Sequence, residues 1–329
     1  MIYPWLAEAW QEFVQRLDSG RLAHACLLAG PQGLGKLELA RQIAATLLCL
    51  AEGQQCCGDC RSCRLFAGGA HPDFRLLTFE ANPRTDKMRT ELVIEQVRDL
   101  NGSMQLTHGI SPRKVALIYP AEAMNRNAAN ALLKTLEEPP GDTVLLLVAH
   151  DPSRLAATIR SRCQMMPIRL PDRQLATDWL VNNVQGIDAT TAAAALRACA
   201  GSPLRALQLL AQGNLEQYRT VEAVLASVLE EETDVAAALE QCFALDQEDV
   251  WNWLSLIAAQ SLRDCFGVAG DAAARVDAQP AAAGRMYRAR QFSRLQSLAD
   301  RNRRMLATAL RKDLLLRDWL IQWSRVTDS

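Results

Sequence analysis

Apolar residues in the first half of the chain follow two rhythms. Short, mainly apolar runs, Ala25–Ala29, Phe74–Leu77, Val115–Tyr119 and Val144–Ala149, read as strands. Between them, apolar positions recur at three- and four-residue spacings. This holds across Leu37–Leu50, for Leu92, Val93, Gln96, Val97 and Leu100, and for Ala128, Ala131, Leu132 and Leu136. Strand and helix in alternation predict a parallel sheet covered by helices on both faces. Arg154–Ile159 reads as a short helix, and Met165–Leu170 as one last strand. From Asp172, a plausible N-cap, the pattern is Ala- and Leu-rich and helical throughout. Gly201-Ser202-Pro203 ends one helix and starts another, Gly213-Asn214 reads as a hinge, and an Ala/Gly-rich loop covers 267–284. The fold class is therefore α/β plus all-α. The expected domains are 1–166 for the sheet, 167–211 for a small helical domain and 212–329 for a second helical one.

Composition narrows this little. The 329 residues suit two or three domains, and 49% hydrophobic with 22% charged is ordinary for a soluble globular chain. Lys plus Arg is 36 against 37 Asp plus Glu, a net charge of -1, so a protein that grips DNA by itself is disfavoured. The charge is uneven, acid-rich over Glu216–Asp249 and Arg-rich over Arg285–Arg325. Solvated helix faces are the ordinary reading, and complementary surfaces for neighbouring subunits the sharper one. Met1–Phe13 lacks a basic segment followed by an apolar one, and no apolar run is long enough to span a bilayer. Ten cysteines without a secretory leader point to reduced thiols in the cytosol, and clustered ones to metal.

Gly30-Pro31-Gln32-Gly33-Leu34-Gly35-Lys36 follows a predicted strand and opens a predicted helix, with the G-x-x-x-x-G-K spacing of a phosphate loop. Gly30, Gly33 and Gly35 let backbone N–H groups turn toward a phosphate, the helix N-terminus adds positive potential, and Lys36 can reach the outer phosphates. The next residue should carry a hydroxyl for Mg²⁺, and it is Leu37. The acids that hold Mg²⁺ and position water belong at the end of a neighbouring strand, yet Tyr119 and Pro120 follow Lys114–Ile118. Glu122 is close, but the first turn of a helix is its natural place. Two independent losses thus agree that the chain does not hydrolyse ATP, while nucleotide binding stays open.

Cys57, Cys60 and Cys63 stand at two-residue gaps, and Cys49 precedes them. Four thiolates close a tetrahedral zinc site, and a closed site is structural. Cys56 competes with Cys57, and His71 with Cys49, as ligands. Arg162, in Ser161-Arg162-Cys163, lies just before the change of pattern; a local ion pair is its bland reading. An arginine at a subunit edge can instead reach a neighbour's nucleotide.

Tyr3-Pro4-Trp5-Leu6, the phosphate loop, the cysteine module, His71-Pro72-Asp73, Asn127–Pro140 (NAANALLKTLEEPP), Asp151-Pro152 and Ser161-Arg162-Cys163 together resemble the clamp-loader subunits of bacterial DNA polymerase III, the delta-prime type above all. The resemblance covers the first two-thirds of the chain. It implies an AAA+ module with a zinc insertion at 49–63, a helical lid and a helical collar in a hetero-pentamer with motor ATPase subunits and delta. The complex acts on a sliding clamp and primed DNA, in the cytoplasm. It places the trans-acting arginine at Arg162 and the zinc ligands at Cys49, Cys57, Cys60 and Cys63. Motor subunits carry Thr or Ser where Leu37 stands and acids where Tyr119 and Pro120 stand, which sets this chain apart from them. The family's lid arginine follows Gly-Ser directly; Arg205 comes one residue late and is not assigned that role. The rival readings are an active AAA+ ATPase subunit and a zinc-containing DNA-binding protein.

Overall fold

In the computed structural model the apolar runs become one five-stranded sheet, β1 (Ala25–Ala29), β2 (Phe74–Leu77), β3 (Lys114–Ile118), β4 (Thr143–Ala149) and β5 (Gln164–Pro167). The structure describes residues 2–51, 53–82, 85–107, 109–266, 282–306 and 311–326. All strand pairs are parallel, in the order β2-β3-β4-β1-β5, with Leu27 opposite Leu147 and Leu147 opposite Ile118. Every residue of β1, β3 and β4 is buried, because successive side chains point to opposite faces and both faces are covered. Cys26, Leu28, Val115, Leu117, Leu146 and Val148 pack on one side; Leu27, Ala116, Ile118, Leu145 and Leu147 pack on the other. The last strand stops at Pro167, short of the expected Leu170. It is an edge strand, where a residue without an N–H is tolerated.

Helices α1 (Ala7–Asp18) and α2 (Lys36–Leu48) cover the first face, with Trp10, Phe13, Leu39, Ile43 and Leu47 turned inward. A short helix, α3 (Arg61–Ala67), follows α2 in the cysteine module. Helices α4 (Ile94–Gln105), α5 (Arg126–Glu137) and α6 (Ala157–Arg160) cover the second face through Val97, Leu100, Leu132, Leu136 and Ile159. Asn125 caps α5 by accepting from the Ala128 N–H at 2.9 Å. The helix expected over Arg154–Ile159 is divided. Pro152–Arg154 forms a 3-10 turn capped by Asp151, and α6 begins only at Ala157.

The remainder is helical: α7 (Arg173–Asn183), α8 (Ala189–Ala198), α9 (Pro203–Gln212), α10 (Leu215–Leu229), α11 (Val235–Phe243), α12 (Gln247–Asp264), α13 (Ala282–Arg304) and α14 (Lys312–Ser324). Asp172 does accept from the second N–H of α7, at 2.8 Å from Gln174 N, and Pro203 opens α9. Of the expected loop, 267–281 lie outside the described residues, and α13 takes its end. The chain falls into two compact units, Met1–Trp179 with Ser202–Arg205, and Leu180–Gly201 with Ala206–Ser329. In the second unit Tyr218, Trp251, Trp319 and Trp323 are fully buried. The Trp319 and Trp323 indoles donate to Leu295 O and Leu225 O, both at 2.9 Å. Among the described residues no helix is long and apolar enough to cross a membrane.

Candidate functional site

The strand order reverses beside β1, and ligands of open parallel sheets bind at such a point, beyond the strand ends. The chain from Gly30 to Lys36 occupies that place. Gly33 and Gly35 have φ of 80° and 77°, a region open to glycine at little cost. Its carbonyls are tied down from outside. Ser202 Oγ donates to Gln32 O at 2.7 Å, Leu204 N to Gly33 O at 3.1 Å, and the Trp5 indole to Leu34 O at 2.9 Å. A methyl group on Gly33 would stand 2.6 Å from Arg205 Cγ, and one on Gly35 would strike the Tyr3 ring. Tyr3 stacks on Trp5 at 5.0 Å, and both rings meet the edge or face of Trp179. Arg205 therefore lies over the loop through its methylenes, a placement that its spacing from Gly201 did not suggest.

Lys36 is 2% exposed and does not extend outward; its Nζ donates back to Pro31 O at 2.5 Å. Burial lowers its pKa to about 8, against the opposing pull of Glu122 and Glu38. Leu37 is half-buried against the apolar cluster on the α1–α2 face. Where β3 ends, Tyr119 packs against that same cluster, and its hydroxyl meets His150 Nε2 at 3.2 Å. Glu122 does not sit at the start of α5. It lies in a 3-10 turn at Ala121–Ala123, and its Oε1 accepts from the N–H groups of His150 (2.9 Å) and Asp151 (3.4 Å). The carboxylate thus braces the end of β4. Sequence reasoning missed that role, because its donor partners are backbone N–H groups 28 and 29 residues away.

The four cysteines converge. Cys49 Sγ lies 3.6 Å from Cys57, 4.0 Å from Cys60 and 3.7 Å from Cys63, with Cys57 4.0 Å from Cys63. A tetrahedral ion with metal–sulfur bonds of about 2.3 Å needs sulfurs about 3.8 Å apart, so this set fits a metal ion without rearrangement. Backbone N–H groups of Cys57, Cys60 and Cys63 each point at a sulfur at 3.4 Å, as suits thiolates. Burial raises the Cys60 thiol, but the N–H groups of Leu50 and Cys63 and the neighbouring thiols bring it down to about 6. Both competing ligands are spoken for elsewhere. Gln42 Nε2 meets Cys56 Sγ at 3.4 Å, outside the cluster. His71 lies in a buried polar network, its Nε2 2.8 Å from Ser62 Oγ and 3.2 Å from Ser111 Oγ, its Nδ1 accepting from Asp73 N. Both hydroxyls also donate to Leu48 O, and Asp73 accepts the N–H groups of Gly109, Ile110 and Ser111. His71-Pro72-Asp73 is thus the fastening between the cysteine module and the sheet.

Arg162 sits in the turn between α6 and β5. Ser161 Oγ and Arg162 Nη1 both donate to Thr158 O, at 3.2 and 2.9 Å, while Cys163 packs toward the α4–α5 face. Arg162 Nη2 pairs with Glu137 Oε1 at 2.6 Å, and the side chain remains 37% exposed.

The family model described as DNA polymerase III, delta subunit, matches residues 5–172, which include the phosphate loop, all four clustered cysteines and Arg162. The chain is 40% identical to DNA polymerase III subunit delta' of Pseudomonas aeruginosa over 77% of its own length and 74% of the relative's. It is 32% identical to DNA polymerase III subunit delta' of Escherichia coli over 97% and 94%. The chain belongs to the DNA polymerase III delta' family. A DNA polymerase III gamma subunit-related protein of Thermotoga maritima aligns over 97% of this chain and 99% of its own, at 16% identity and a TM-score of 0.45. The expected parallel sheet with its glycine loop, followed by helices, is the arrangement found here. The family match ends at residue 172, so α7–α14 rest on full-length relatives such as the Escherichia coli delta' subunit.

Proposed function

We propose that the chain is the non-hydrolysing arm of a bacterial clamp loader, working inside the DNA polymerase III assembly in the cytoplasm. Beside motor ATPase subunits and delta, it presents Arg162 to the ATP of an adjacent motor subunit while the complex places a sliding clamp on primed DNA. In this reading 1–166 is the P-loop-like module, 167–211 the lid and 212–329 the collar. The ion held by Cys49, Cys57, Cys60 and Cys63 is zinc, since an all-thiolate tetrahedron with no open position suits a structural ion. The relatives named delta' support the assembly role.

One observation carries the non-hydrolysing part. Glu122, the acid that follows β3, is engaged through Oε1 by the N–H groups of His150 and Asp151. Leu37 and the Tyr119 ring pack, half-buried, against the apolar cluster instead. An arginine from outside the nucleotide's own subunit stabilises charge on the transferring phosphoryl group, worth about 10³-fold or more at the site it serves. The test is DNA-stimulated ATP hydrolysis by the chain alone, by the assembled complex, and by the complex carrying Arg162→Ala. The expected result is no turnover alone, full turnover together and a large loss with the variant. Turnover by the chain alone, free of contaminating ATPase, would make it a motor subunit; an unchanged rate with Arg162→Ala would make it a scaffold.

A further inference from the structure

Arg162 is held at two points, and the second is a residue with no role so far. Its Nη1 is fixed on Thr158 O, on α6, and its Nη2 on Glu137 Oε1, at the last residue of α5. These anchors belong to two helices packed on one face of the sheet, so the guanidinium is held between two fixed points. A guanidinium has several further N–H donors, so both contacts leave donors for a phosphate. Glu137 is half exposed and Arg162 more than a third. A pair so wetted adds little to stability, which leaves orientation as its use. A long cationic side chain left free samples many rotamers, and freezing them during reaction slows the step that needs one.

We infer that Glu137 is a positioning residue for Arg162, holding the guanidinium in the one orientation from which it meets a neighbouring subunit's nucleotide phosphates. The inference rests on the reading of Arg162 as a trans-acting arginine. It requires an acceptor oxygen at the end of a three-carbon stem rather than a negative charge. Glutamine supplies that oxygen, and alanine does not.

The experiment measures DNA-stimulated ATPase against ATP concentration in the assembled complex with wild-type chain, Glu137→Ala, Glu137→Gln, Arg162→Ala and the double variant Glu137→Ala/Arg162→Ala. Thermal unfolding of each chain confirms that it folds. Expected are a fall in kcat of roughly threefold or more for Glu137→Ala at unchanged KM, as misplacement predicts. Glu137→Gln retains most of the rate, and the double variant is no slower than Arg162→Ala. A normal rate for Glu137→Ala beside a crippled Arg162→Ala overturns the positioning role alone. A double variant slower than Arg162→Ala also overturns it, since Glu137 would then act by another route. A normal rate for Arg162→Ala instead removes the trans-arginine reading beneath it.

Discussion

Lys36 carries the clearest energetic signature of any single residue. It is nearly sealed from water with one carbonyl as its partner, and its pKa falls to about 8 from an unfolded value of 10.5. Below about pH 8 both states hold the proton and the folded state bears the full cost of burying the charge, about 3 kcal/mol by that difference. Between pH 8 and 10.5 the unfolded chain still binds the proton that the folded chain has released, so stability rises with pH. Above 10.5 the cost is gone. Lys36→Met keeps the length of the stem and removes the charge, at the loss of one hydrogen bond worth about 1 kcal/mol. The variant should be more stable than the parent at pH 7, by about 1–2 kcal/mol, and should lack the rise above pH 8. Denaturant melts across that range check both; a variant less stable at pH 7 would mean that Nζ→Pro31 O outweighs the buried charge.

At the scale of elements, the cysteine module depends on two layers, the sulfur tetrahedron and the Ser62–His71–Ser111–Asp73 network behind it. Removing the ion should release four close thiolates that repel one another, and the module should loosen while the sheet core stays packed. Chelation followed by hydrogen exchange should show protection lost over Cys49–Asp73 and retained in β1 and β4; metal analysis of the purified chain should give one zinc per molecule. Uniform loss across the sheet would show that the ion organises the whole unit. Burial lowers the pKa of His71, partly opposed by Asp73, so the folded state favours neutral imidazole. That contribution is full above the unfolded value of about 6.5 and is lost as pH falls below it. The strands β1 and β2 were legible to the residue, because short, mainly apolar runs that end at Gly30 and at Thr78 leave one reading. The thiol set was legible because metal geometry fixes cysteine spacing. The network was not. His71 looked like a rival ligand because its true partners, Ser62 and Ser111, lie 9 and 40 residues away and follow no local period. The divided helix before Arg162 was missed for a simpler reason: Asp151 and Pro152 cap a separate turn that interrupts the periodicity.

For the molecule as a whole, the proposed reading is a P-loop-like scaffold whose metal chemistry is missing at several positions at once. Leu37 comes from α2, Tyr119 from the end of β3, His150 and Glu122 meet at the end of β4, and Ser202, Leu204 and Arg205 reach the loop from residues distant in sequence. These substitutions act together. Leu37 offers no oxygen, Tyr119 offers a phenol engaged with His150 rather than a carboxylate, Glu122 accepts backbone N–H groups through Oε1, and Lys36 is turned onto its own loop. On the proposed reading, a nucleotide that enters has to draw Lys36 from Pro31 O and gains little through Mg²⁺. Any stabilisation of the chain by ATP should then be the same in magnesium and in EDTA, because linkage reports only affinity for the folded state. Thermal melts of the isolated chain against ATP concentration, in both buffers, test this. A shift that appears only with magnesium would show an oxygen ligand regained on binding, and Glu122 would be the first residue to examine, since its second oxygen, Oε2, is buried without a hydrogen-bond partner among the described residues.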